Sequence, residues 1–207
     1  VIMVQPLSYL KESPSQTAGP YVHIGCTPNF AEIEGIYPQD LGHEMITGDV
    51  QGQRIRITGR VIDGTGTPLR DAMIEIWQPD AAGLFNSPAE TRGTADPNFT
   101  GWGRCASDMR TGKFAFDTVK PGAVPFVDGR MQAPHVTLWI VARGINLGLH
   151  TRMYFPDEAE ANAADPILSR IEHQTRVKTL IGEDKGDGHF HFDIRLQGHN
   201  ETVFFDI

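Results

Sequence analysis

Two imidazoles at His189 and His191, one residue apart, are the first pair in this chain whose type and spacing could do chemistry. Alternate residues of a strand share a face, so His189-x-His191 would present two metal ligands side by side. With a carboxylate nearby, that would make a stand-alone metalloenzyme. Phe190, Phe192 and Ile194 interleave with them, however, and a strand with one apolar and one solvated polar face produces the same pattern. The second reading is preferred. His135 stands alone in Gln132–Ala133–Pro134–His135–Val136–Thr137. A lone imidazole in such a run reads as a buried ring bonded to a backbone carbonyl. Arg143, in Ala142–Arg143–Gly144–Ile145–Asn146, offers a guanidinium whose plain reading is a structural salt bridge. His150, near Arg152, is a surface candidate only.

The elements that must position these groups read as β-strands. Ile55, Ile57 and Val61 keep a two-residue period around Gly59, which implies a half-buried strand approached closely by another backbone. Asp63–Gly64–Thr65–Gly66 is a turn, Met73–Trp77 a second strand, and Lys113–Asp117 a third after the turn at 108–112. Val136–Ala142 is the densest apolar run and reads as a strand buried on both faces. Arg152–Phe155, His189–Leu196 and Thr202–Phe205 complete the set, with Trp77 and Trp139 expected in the core. Residues 25–50 read as loop. One stretch departs from the pattern: Asp157–Ala164 is rich in Glu and Ala and reads as a helix capped by Asp157, with further helical turns over 167–171 and 175–181. These features predict an all-β fold, a single β-sandwich domain over residues 1–207, with an extended arm at 1–20 and a short helical excursion.

Composition narrows the function. The chain has 207 residues, 40% hydrophobic and 21% charged, and its 22 glycines and 14 prolines favour short strands and many turns. A net charge of −8 without any Lys/Arg block excludes a nucleic-acid footprint. No apolar run approaches the roughly 18 residues a membrane span needs. Val1–Leu10 lacks a basic start and is interrupted by Gln5, Pro6 and Ser8, so it does not read as a leader. Cys26 and Cys105 are too few for a disulfide scaffold and read as free thiols in a cytoplasmic chain.

Ile57-x-Gly59-x-Val61, Gly66, Leu69, Ile74–Glu75–Ile76 and Gly83-x-Phe85 together resemble the signature of the intradiol ring-cleavage dioxygenases. Asp96–Pro97–Asn98–Phe99, Lys120–Pro121–Gly122 and Phe192–Leu196 extend the resemblance over nearly the whole chain. It implies insertion of both atoms of O2 into a catechol, with cleavage between the hydroxyl-bearing carbons, at a ferric ion held by two tyrosinates and two histidines. Three of those four slots are changed here: Thr91 and Val124 stand where the tyrosines belong, and Thr137 where the second histidine belongs. His135 is the vestigial fourth, and Gln132 replaces an arginine. One imidazole among neutral groups cannot hold ferric iron against water.

The resemblance is therefore to the iron-free chain of a two-chain enzyme. It implies Fe(III) bound by a partner β chain of the same fold, assembly into a higher-order hetero-oligomer, and an aromatic acid and O2 as substrates. It also implies that Thr17, Gly19, Pro20, Tyr21 and Arg143 wall the shared active site. Gly and Pro would let the backbone approach a flat ring, and Arg143 would attract its carboxylate. The alternative is a non-catalytic binding or assembly module on the same sandwich.

Overall fold

The computed structural model describes residues 14, 16–146 and 148–206. The expectations for Val1–Leu10 and most of the arm's first half lie outside them. In chain order the elements are α1 (Tyr21–Cys26), β1 (Arg54–Ile62), β2 (Met73–Trp77), β3 (Trp102–Ala106), β4 (Lys113–Val119), β5 (Val124–Pro125) and β6 (Met131–Gln132). There follow β7 (His135–Val141), β8 (Leu149–Tyr154), α2 (Ala159–Ala164), β9 (Glu183–Asp184), β10 (His189–His191) and β11 (Ile194–Arg195). Two 3-10 stretches, Leu168–Arg170 and Gln174–Leu180, follow α2.

The alternation at 55–61 does what its period requires. Ile55, Ile57 and Val61 turn inward from β1, which pairs antiparallel with β4 and parallel with β10 and β11. The second sheet runs β3-β2-β7-β8, all antiparallel. Its inward residues Ile74, Ile76, Leu138 and Ile140 meet Ile57, Phe114 and Phe116 of the first sheet in one buried cluster. Each such side chain contributes about 1.5–3 kcal/mol on leaving water. The β-sandwich expectation holds. Gly59 lies against the backbone linking β10 to β11: a Cβ there would lie 1.9 Å from the Phe192 carbonyl oxygen.

Several expectations need correction. Residues 21–26 form a short helix where loop or extended chain was expected, begun by Pro20, whose fixed φ suits a helix start. β3 and the β5–β6 hairpin were not expected. β7 is buried on one face and only half-covered on the other, which carries Thr137, Trp139 and Val141. Trp77 is 38% exposed, because the β2 face it shares with Glu75 points outward; it stacks on Phe85 at 5.8 Å. Asp157 does not cap α2, which starts after Glu158; its carboxylate pairs instead with Lys120 at 2.6 Å. Thr202–Phe205 contributes only an isolated bridge, Phe205 to His150, and the 189–196 strand is broken into β10 and β11.

Candidate functional site

Sheet register builds the site. β2 and β7 pair Met73 with Val141, so two residues beyond that pair Asp71 lies across from Arg143. The Arg143 Nη2 donates to Asp71 Oδ2. The arm then crosses this end of the sheet. The Gly144 N–H donates to Thr17 Oγ1 at 2.8 Å, and the Gln16 N–H donates to the Asn146 side-chain oxygen. Helix α1 closes the other side: His23 Nε2 bonds the Asp71 carbonyl oxygen at 2.8 Å, and His23 Nδ1 meets Thr27 Oγ1 at 2.9 Å.

These contacts frame an open pocket of about 330 Å3 lined by Ala18, Gly19, Pro20, His23, Asp71 and Arg143, with Phe30 and Met109 adding apolar surface. Two segments far apart in sequence, the arm and 142–146, are thus brought together. Gly19, Pro20 and Arg143 line the cavity. Thr17 fastens it, and Tyr21 projects outward at 84% exposure. The space beside Gly19 is open. Asp71 and His23 were missed by sequence reasoning.

The four positions expected as iron slots have a different character. Val124 is buried and apolar, Thr91 is exposed, and Thr137 is half-buried opposite Arg152. His135 is buried, and its Nδ1–H donates to the Ala133 carbonyl at 2.7 Å. Burial, helped by the Arg152 guanidinium, lowers its pKa to about 4. It is a satisfied core histidine, bonded to a backbone carbonyl as expected. Beside it, burial pushes the Tyr154 phenol up to about 12. Arg152 bridges Gln132 Oε1 at 2.8 Å and Tyr154 Oη at 3.4 Å. A cation already stands among these residues, and the groups at the slots offer iron no anionic oxygen. The donor set does not fit ferric iron.

His189 and His191 share Thr58 Oγ1 at 2.7 and 3.2 Å, and His191 Nε2 meets Asp193 at 3.0 Å. Both rings are half-buried while Phe190 and Phe192 fill the core, which is the two-faced strand expected. Among the described residues no group of three or more His, Cys, Asp or Glu side chains is arranged to hold a metal.

Comparison with known proteins decides the family. A family model described as "Dioxygenase" matches residues 26–198. The chain is 43% identical over 204 residues to the protocatechuate 3,4-dioxygenase alpha chain of Pseudomonas putida, covering 97% of this chain and 99% of that one. The chain belongs to the intradiol dioxygenase family. To the protocatechuate 3,4-dioxygenase beta chain of Burkholderia cepacia it is 33% identical over 182 residues, 83% of this chain and 77% of that one. Among solved structures, the dioxygenase domain of a dioxygenase carbohydrate-binding protein fusion from Streptomyces sp. SirexAA-E superposes with a TM-score of 0.54 at 21% identity. It covers 82% of this chain and 96% of that domain, and it shows the fold alone. No helix among its described residues is long and apolar enough to cross a membrane.

Proposed function

We propose that this chain is the iron-free α subunit of a two-chain protocatechuate 3,4-dioxygenase. A β chain of the same fold supplies the ferric ion, and this chain supplies one wall of the shared active site. The observation that carries the reading is a single cavity uniting Gly19, Pro20 and Arg143, while Val124, Thr91 and Thr137 stand where ligands belong. Substrate is a catechol bearing a ring carboxylate. Arg143 attracts and orients that carboxylate. The Gly19–Pro20 backbone, without a Cβ at Gly19 or an N–H at Pro20, lies flat against the ring and helps to exclude water. Thr17 holds the arm in place, and Tyr21 contributes from the rim. Iron chemistry belongs to the partner. The free thiols Cys26 and Cys105 suit a reducing cytoplasm.

The test is Arg143→Ala in the assembled two-chain enzyme. KM for protocatechuate should rise about ten-fold, as for the loss of one charge-assisted contact, with little change for a catechol lacking the carboxylate. Equal KM values for variant and parent would favour the assembly-module reading.

A further inference from the structure

Asp71 sits where a substrate anion would be an intruder. Its carboxylate holds Arg143 Nη2 and lines the same cavity as Gly19 and Pro20. We propose that Asp71 is a specificity-determining residue: it competes with the substrate's carboxylate for Arg143 and so sets how strongly this wall prefers an anionic ring over a neutral one. The proposal rests on the reading of Arg143 as the substrate-facing cation.

Three features support competition. Asp71 is the better fixed partner, with a side chain 24% exposed against 71% for Arg143. Its backbone cannot swing aside, because its carbonyl accepts from His23 Nε2, and His23 is held in turn by Thr27. The guanidinium, by contrast, meets Asp71 through one nitrogen only and hangs on the turn after β7. An incoming carboxylate therefore finds an exposed cation held through one nitrogen by a better-covered anion. It must share the fork, and it meets like-charge repulsion from Asp71 across the same small space. A catechol with an uncharged substituent meets neither obstacle.

The direction of the effect separates this role from a structural one. Removing a purely structural carboxylate loosens Arg143 and weakens anion binding; removing a competitor strengthens it. In the assembled enzyme, Asp71→Asn should lower KM for protocatechuate about two- to five-fold, the range expected for an exposed ion pair. KM for 4-methylcatechol should stay where it is. Asp71→Glu, which keeps the charge, should preserve the parental preference. On an Arg143→Ala background the gain from Asp71→Asn should shrink, since the two residues act through one contact. Should the Asn variant fail to assemble, Asp71→Ser replaces it with the same expected direction. If Arg143→Ala weakens protocatechuate binding but Asp71→Asn leaves KM unchanged or raises it, competition is wrong and the wall reading survives. If Arg143→Ala itself has no effect, the wall reading fails first, and the competition inference fails with it.

Discussion

The hydroxyl of Thr17 and the backbone N–H of Gly144 meet at 2.8 Å across 127 residues of sequence. Together with the bond from the Gln16 N–H to Asn146, this contact ties the arm to the turn carrying Arg143. Thr17→Val keeps the shape and removes the acceptor, leaving the N–H to water. The expected cost is about 1 kcal/mol of local stability. Amide exchange over residues 16–26 should quicken several-fold while exchange in β1 and β7 is unchanged. Thr17→Ser should restore protection. Unchanged exchange in the Val variant would mean that other contacts hold the arm.

His135 gives a pH prediction with a definite sign. Its folded pKa is lowered from 6.5 to about 4 by burial, with Arg152 adding to it. Above about pH 6.5 the ring is neutral whether the chain is folded or not, and no stability is at stake. As pH falls through the window from 6.5 to 4, the unfolded chain takes up a proton that the folded chain refuses, so stability drops. At pH 4.5 the loss should reach about 2–3 kcal/mol, at 1.36 kcal/mol per unit of pH. His135→Gln has no such proton. The urea midpoints of parent and variant in the assembled protein should therefore converge between pH 7 and 4.5. Parallel midpoints would show that the ring is protonated inside the fold.

Gly59→Ala should be among the costliest single changes. The new methyl would meet the Phe192 carbonyl at 1.9 Å and the Phe114 ring at 2.6 Å, one of them backbone that cannot rotate away. Overpacking of this kind costs about 1–3 kcal/mol, and the rigid partner puts it at the upper end. A thermal midpoint within a degree of the parent would contradict the close crossing of β1 over the β10–β11 bend.

The cavity is lined in part by exposed Ile24 and Met109, and Tyr21 of the same helix α1 is exposed beside them in sequence. An apolar rim of this sort is covered in a paired subunit. Expressed without its partner, the chain should be poorly soluble or self-associate at micromolar concentration, and Tyr21→Ser with Met109→Ser should reduce that and weaken pairing with the β chain. A monodisperse lone monomer, indifferent to both changes, would place the contact elsewhere.

The sandwich was legible because two-residue alternation at 55–61, 73–77 and 113–117 admits one buried face. Strand β3 was not, because its inward residues are only Gly103 and Cys105, which give little apolar signal; the space a side chain at 103 would fill is taken by Met45 and Phe116. Trp77 was misplaced for the opposite reason: a large apolar residue at a strand end found its cover in Phe85 rather than in the core. At the site, Gly19, Pro20 and Arg143 were legible only through family resemblance. Asp71 and His23 were not, since their roles arise from strand register and from a helix of six residues that no periodicity announced.

The most direct measurement is iron counted chain by chain. The chain is co-expressed with a β chain, the assembled enzyme is shown to cleave protocatechuate, and the two polypeptides are separated and assayed for metal. One ferric ion per β chain and none on this chain is the predicted result, with the visible tyrosinate–iron absorption following the β chain. Stoichiometric iron retained by this chain, together with oxygen uptake on protocatechuate in the absence of any partner, would contradict the account at its base.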